Sequence, residues 1–437
     1  MEQLQIKHSV PIRHTVDLCV VGGGPAGLAA AILAARQGLS VFLAESQGFF
    51  GGAATAGLVP AFMRFDNGVH FLAGGFGKEV YDRCLAAGFP VSHGTSLGIQ
   101  PERLKKIYDD MVTAEENIRF SFFTTLTDVV RENGRVQSAI FHAKSGFFAV
   151  NAAMFVDASG DGDLCVLAGA PYAQGDENGS TMPATLCSIW ADIDFTGQKG
   201  ADSRELERAF ADGVFTQEDR HLPGMWHIAP NLGGGNIGHS FGIDSTNEQS
   251  LTQGMLVGRQ ILPEYERYYR EYLGGAYEHA QLVISGSYLG IRESRRIAGD
   301  YELTLADFHA RQKFADDVGW FSYPVDDHIA APDKASYDAF HKEHQSLRYK
   351  NGESYGIPYR SLLPKTLENV FVAGRCISTD KKMQSSVRVM PACYLMGQAA
   401  GLAAALAVRA GHCQTRAVPY AALRAALDEI GTFTTMM

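Results

Sequence analysis

The sequence predicts an α/β fold: a Rossmann-like domain, assembled from discontinuous segments, carrying an inserted α+β unit. Three observations predict it. Val16-Asp17-Leu18-Cys19-Val20-Val21 leads straight into Gly22-Gly23-Gly24-Pro25-Ala26-Gly27 and the Ala/Leu-rich stretch 28–37. Two more apolar runs, 155–157 and 369–373, end in small-residue turns far along the chain. A long Ala/Gly stretch, 392–409, follows the last of them. Short β-branched runs alternating with helical stretches read as a parallel sheet covered by helices.

The first segment is strand, glycine turn, helix. A second apolar run, 40–43, then ends on Glu45. In this arrangement Gly22 permits the tight turn, Gly24 lets the backbone approach a pyrophosphate, and Gly27 permits close helix–strand packing. The helix that starts at Pro25 offers the free N–H groups of Ala26 and the next residues, and a partial positive charge, to phosphates. Glu45, with Ser46 beside it, is placed to accept hydrogen bonds from a ribose diol. The segment therefore predicts a dinucleotide.

Gly51-Gly52-Ala53 follows shortly after the acid. A Gly-Gly pair lets backbone lie flat against a bulky planar ligand. This stretch resembles the N-terminus of flavoproteins with the glutathione-reductase-type FAD domain. Phe155-Val156-Asp157-Ala158-Ser159-Gly160-Asp161-Gly162 is a strand ending in an Asp/Gly turn, which suits close approach to an adenosine. Asn369-Val370-Phe371-Val372-Ala373-Gly374-Arg375 is another strand ending in glycine. Ser385-Ser386-Val387-Arg388-Val389-Met390-Pro391 then leads into the closing helix. Pro391 suits a first helical turn, and that N-terminus would face the pyrimidine edge of a flavin.

Together, VVGGGPAGLAAAILAARQG, FFGGAATAGLVP, VDASGDGDL, YLGIRESRRIAGDYELTLAD, IPYRSLLP, NVFVAGRCIS and SSVRVMPACYLMGQAAGLAAA resemble the bacterial FAD-dependent oxidoreductase family. Its relatives are the fumarate reductase and succinate dehydrogenase flavoproteins. The resemblance implies FAD as cofactor, with Gly22, Gly24, Gly27, Glu45, Gly51, Gly52, Gly160, Gly374 and Arg375 in contact with it. Pro25, Ala26, Ser46, Ala53, Leu126, Asp161 and Met390 complete the candidate cofactor-binding set. Many flavoproteins of this class carry Gly-Asp where this chain has Gly374-Arg375, so the Asp that holds the ribityl hydroxyls is replaced.

At 437 residues the chain has room for two to three domains. Its net charge of −10 argues against nucleic acid or an anionic membrane as partner. No secretory leader pattern opens it. Residues 392–408 approach membrane-spanning length, but Gln398 and the glycines favour a buried helix. The seven scattered Cys, with no CxxC, suit reduced thiols in a cytoplasm and exclude a dithiol active site. No His/Cys cluster has zinc spacing, so no metal is expected.

The FAD-binding domain is expected from 12–60, 101–170 and 355–437, with 61–100 and 171–354 as a substrate or cap domain. Within the first, the Asn133-Gly134 turn between alternating runs marks a hairpin. Within the cap, Gly233-Gly234-Gly235-Asn236-Ile237-Gly238 repeats the GxGxxG spelling without a preceding strand. It is expected to be a mobile loop, leaving no separate NAD(P)H domain.

A flavin performs the hydride chemistry, so the protein supplies position, a proton and charge. Arg388, just before the closing helix, is a candidate for stabilising anionic reduced flavin or a substrate oxyanion; a structural ion pair is the alternative. Arg292, in Gly290-Ile291-Arg292-Glu293-Ser294-Arg295-Arg296, is a candidate carboxylate anchor, against a structural Glu–Arg network. His239 is the leading candidate base, followed by His227; Tyr359 and His70 are weaker candidates.

The reading is an FAD-dependent oxidoreductase that moves a hydride between a small organic substrate and flavin N5. O2, a quinone or a protein is the other electron partner, and an oligomer is open. The alternative is a flavin monooxygenase using NAD(P)H and O2. A third reading, an electron carrier or FAD sensor, does not need so large an insertion. Dicarboxylate-site signatures of fumarate reductases are absent.

Overall fold

A seven-stranded sheet organises the larger part of the molecule. The computed structural model describes residues 9–196, 203–221, 224–332, 334–344 and 347–433. The sheet strands are Ile12–Val21 (β1), Val41–Ala44 (β2), Ile118–Ser121 (β3), Thr125–Glu132 (β4), Arg135–Ala143 (β5), Gly146–Asp157 (β6) and Val370–Val372 (β7). Their order is β3-β2-β1-β6-β5-β4, with β7 also on β6. The β1–β2, β2–β3, β1–β6 and β6–β7 pairs are parallel; β4–β5 and β5–β6 are antiparallel.

β6 changes partner along its length. Its first half, from Gly146 to Asn151, pairs with β5, and Phe155–Asp157 pairs with β7. The sheet thereby joins a hairpin to a parallel core, and the Asn133-Gly134 turn carries that hairpin with both residues at positive φ.

Helix Pro25–Arg36 (α1) leaves the glycine turn with Pro in its first turn and is buried from Ala26 to Ala35. It packs against Met390–Arg409 (α2). The contact depends on glycines one helical turn apart. A Cβ at Gly397 would lie 2.1 Å from the Ala26 carbonyl oxygen, and one at Gly401 would lie 2.3 Å from that of Ala30. α2 is the one helix, among the described residues, long and apolar enough to cross a membrane, and 89% of its apolar window is buried in protein.

Two apolar cores are present. The first holds the sheet, α1 and α2, and takes in Phe62, Phe65, Phe76 and Val80 as well as Ile297, Phe308, Val318, Phe321 and Ile357. The second runs from Ala184 to Leu289 around Trp190, Tyr265, Tyr268 and Tyr269. It lies against a four-stranded antiparallel sheet, in the order Trp226–Ala229, Leu232–Gly235, Ser188–Ala191 and Gln281–Ser285.

The glycine run at 233–238 is a correction to the expected mobile loop. Gly233, Gly234 and Gly235 lie in a strand and are buried. A Cβ at Gly234 would stand 2.3 Å from the Pro60 Cβ, and one at Gly233 would stand 2.5 Å from the Ile193 Cδ1. The glycines are there because neighbouring side chains press onto the strand, a use of glycine that composition alone does not separate from a loop.

Candidate active site

A cavity of about 430 Å³ opens at the carboxyl ends of β1, β2, β6 and β7. Ligands of open parallel sheets bind at this end, outside the strand termini. Its wall contains Gly22, Gly24, Pro25, Ala26, Glu45, Ser46, Gly52, Ala53, Leu126, Gly160, Asp161, Gly374, Arg375, Arg388 and Met390. Four loops that are remote in sequence are therefore brought together. Gly27, Gly51, His239 and Arg292, also singled out in the sequence, are not part of that wall.

The glycines divide by what presses on them. Gly22 has φ +99°, and a Cβ there would lie 2.4 Å from the Ala158 carbonyl oxygen. A Cβ at Gly27 would lie 1.8 Å from the Gly22 oxygen, so this glycine permits the helix to meet the turn. A Cβ at Gly24 would meet only Gly52 Cα at 3.9 Å; this position faces open cavity. Gly51, at φ +112°, donates its N–H to the Gly23 carbonyl at 2.9 Å and fixes the second loop to the first.

Glu45 is buried at the end of β2. Its Oε2 accepts from Gly23 N at 2.8 Å, and its Oε1 accepts from Gln47 N at 2.7 Å. Burial pushes its carboxyl up, against those N–H donors. The carboxylate therefore holds the glycine turn in shape while its residue borders the cavity. Asp157, fully buried at the end of β6, orders the next loop by accepting from Ser159 Oγ at 2.7 Å and Cys165 N at 2.8 Å.

Arg375 reaches Asp161 Oδ1 at 2.7 Å, tying the loop after β7 to the loop after β6. Burial works against its charge, and Asp161 outweighs it, holding the guanidinium protonated. Arg295 pairs with Asp163 at 2.8 Å just outside. Of the three arginines around Glu293, only Arg296 pairs with it, at 2.6 Å.

The opposite wall comes from the second core and its connections: Ser245, Leu251, Tyr288, Leu289 and Ile291. Tyr288 was not legible in the sequence as a cavity residue, nor were Thr124 and Thr125. They are single side chains at segment ends and carry no motif. Burial raises the Tyr288 phenol well above its ordinary range, keeping it a neutral hydroxyl.

Arg388 borders the cavity and also pairs with Asp326, so the structural ion pair stands at the cavity wall. Its Nη2 lies 2.9 Å from Asp326 Oδ2. That same oxygen is 3.6 Å from His328 Nε2. Burial works to raise the Asp326 carboxyl, but His328, Arg388 and Arg292 hold it far below the usual range. His328 in turn stands with His221 and His239, ring centroids 4.6–5.2 Å apart. His239 Nδ1 lies 2.9 Å from Asp219 Oδ2. Burial lowers all three imidazoles, His221 to about 3. Sequence spacing hid this cluster because its members come from three separate connections.

Arg292 donates to the Pro183 carbonyl at 2.9 Å, Thr185 Oγ1 at 2.8 Å and Asn236 Oδ1 at 3.0 Å. Burial first, then Arg388, lowers its guanidinium to about 10. The other candidates lie elsewhere. His227 is exposed against Phe195, His70 stacks on Phe433, and Tyr359 donates to the Thr415 carbonyl at 2.8 Å. All seven Cys are free thiols.

Known proteins align with this chain. The flavin-dependent brominase Bmp2 superposes with a TM-score of 0.50 at 14% identity, covering 94% of this chain and 83% of that one. A geranylgeranyl bacteriochlorophyll reductase-like protein of Thermoplasma acidophilum aligns at 12% identity over 95% of this chain and 83% of its own, with a TM-score of 0.47. A 49-residue stretch is 51% identical to 4-oxocyclohex-2-ene-1-carboxylate 5-dehydrogenase of Sinomonas cyclohexanicum. That stretch is 11% of this chain and spans only 8% of the dehydrogenase's length. The sequence profile of the FAD dependent oxidoreductase family matches residues 17–427. The chain is an FAD-dependent oxidoreductase and belongs to that family.

Proposed function

We propose that the cavity holds FAD and that the enzyme moves a hydride between a small organic substrate and flavin N5. The observation that carries this reading is Gly24. Its Cα faces open cavity at the start of α1, with Glu45 on one side and Gly52 on the other. A pyrophosphate fits there against helix N–H groups, and only glycine leaves it room. FAD, when bound, supplies the hydride chemistry.

The remaining roles fall to the chain's own side chains. Gly160, Asp161, Gly374 and Arg375 line the middle of the site. Arg388 and Met390 place a positive charge and the first turn of α2 where charge gathers on reduction. The unit around the second core, with Tyr288 and Ile291, roofs the cavity and excludes water. The buried free thiols and the acidic surface support a reduced, cytoplasmic setting.

Anaerobic mixing of the yellow protein with a panel of small metabolites, NADH and NADPH tests the reading. Bleaching of the flavin absorbance by a metabolite is expected. Bleaching by NADPH alone, followed by O2-dependent hydroxylation, would replace it with the monooxygenase reading.

A further inference from the structure

We propose that His221, His239 and His328 form a binding site for a divalent first-row transition metal of the Zn2+ class, one ion pair away from the flavin cavity. Each imidazole offers one ring nitrogen, and the three nitrogens lie within 4.8 Å of one another. Metal–nitrogen bonds of about 2.0–2.1 Å bring tetrahedral ligands to about 3.4 Å apart. Side-chain rotations that shorten each nitrogen–nitrogen separation by up to about 1.4 Å therefore suffice.

A carboxylate stands beside two of the three imidazoles. A ligating imidazole keeps its other nitrogen on a carboxylate, which fixes the ring and raises its basicity. His239 Nδ1 lies 2.9 Å from Asp219 Oδ2 without hydrogen-bond alignment, and a small ring rotation would align the pair and leave Nε2 for a metal. His328 Nε2 lies 3.6 Å from Asp326 Oδ2, an electrostatic contact longer than a hydrogen bond, and its Nδ1 is left over. That Nδ1 is buried and has no hydrogen-bond partner. A buried nitrogen without a partner costs free energy unless something occupies its lone pair.

Both carboxylates are themselves anchored. Asp219 is 2% exposed and accepts from His221 N at 3.0 Å; Asp326 is held by Arg388. Three neutral imidazoles without thiolate select Zn2+, Co2+, Ni2+ or Fe2+ over Mg2+ and Ca2+. Arg292 lies close by with its guanidinium on neutral acceptors, so its charge favours an anionic oxygen as the fourth ligand.

The test uses flavin-loaded enzyme, stripped with chelator, titrated with Zn2+ or Co2+ and passed over a desalting column. Wild type should retain one equivalent of either metal, with Co2+ giving ligand-field absorbance to the red of the flavin bands. His239→Ala with His328→Ala should lose the metal and keep FAD; the exposed His412→Ala should lose neither. Asp219→Asn should weaken metal affinity about 10–100-fold. Wild type that keeps its FAD and retains neither metal overturns the proposal. So does a His239→Ala, His328→Ala variant that retains metal like wild type. Because metal is counted independently of turnover, these outcomes are separable from the fate of the hydride-transfer reading.

Discussion

Arg375 and Asp161 form a 2.7 Å ion pair across the middle of the cavity, joining the turn after β7 to the turn after β6. Where many flavoproteins of this class place an acid after the glycine, this chain has Arg375, and its acidic partner sits in the turn after β6. Asp161→Asn leaves a partly buried guanidinium without its counter-charge and should lower stability by about 1–3 kcal/mol. Arg375→Met with Asp161→Asn should cost less than the sum of the single changes. A double-mutant cycle on thermal midpoint and FAD affinity checks this; strict additivity would show that the two act independently.

Gly24→Val and Gly27→Val should fail in different ways. At Gly24 the added side chain enters open cavity, so the protein folds but loses FAD. At Gly27 it strikes the Gly22 carbonyl, so the protein loses stability as well. Flavin content and melting temperature of the two variants, measured side by side, separate them. A yellow Gly24→Val protein would place the phosphates elsewhere.

Arg388→Met removes a positive charge from the cavity wall and leaves Asp326 without its ion-pair partner behind it. Both changes disfavour a negative charge on the reduced flavin. A charge-assisted contact of about 1.5–3 kcal/mol corresponds to a potential lowered by roughly 30–65 mV. Adding Asp326→Asn should return part of that shift. Spectroelectrochemical titration gives the midpoint, and an unchanged value in a flavin-loaded variant would remove Arg388 from the vicinity of the ring.

Asp317 predicts a pH dependence remote from the cavity. It is 2% exposed and accepts from Trp320 Nε1 at 2.9 Å. Burial raises its carboxyl from 3.8 to about 6. Between those values the folded protein keeps a proton that the unfolded chain has released, so stability falls as pH rises through that window. Asp317→Asn should abolish this component, worth up to about 3 kcal/mol. Denaturant midpoints of wild type and variant at pH 4 and pH 7 test it, and parallel pH profiles would refute it.

Sequence legibility followed from how local each requirement is. Gly22, Gly24, Gly27 and Glu45 could be read because one turn, one helix start and one strand end impose their chemistry within a single segment. The GxGxxG spelling at 233–238 misled because a strand pressed by Pro60 and Ile193 selects glycine as strongly as a loop does. His239 could be singled out, but its partnership with His221 and His328 could not. Their approach depends on how three connections pack, and no periodicity records it. Arg388 could be placed beside the helix start; its counter-ion Asp326 lies 62 residues away and gave no signal.

The split pairing of β6 sets an order on the birth of this protein. Its first half can zip onto β5 as soon as the hairpin leaves the ribosome. Its second half waits for β7, more than two hundred residues later. The cavity floor needs Gly374 and Arg375, and α1 stays uncovered until Gly397 and Gly401 arrive. Nascent chains therefore present an unfinished apolar sheet edge and a bare helix for most of synthesis, when aggregation is a hazard. Chains stalled before residue 370 should engage chaperones and remain colourless, and flavin capture should coincide with release of the last segment.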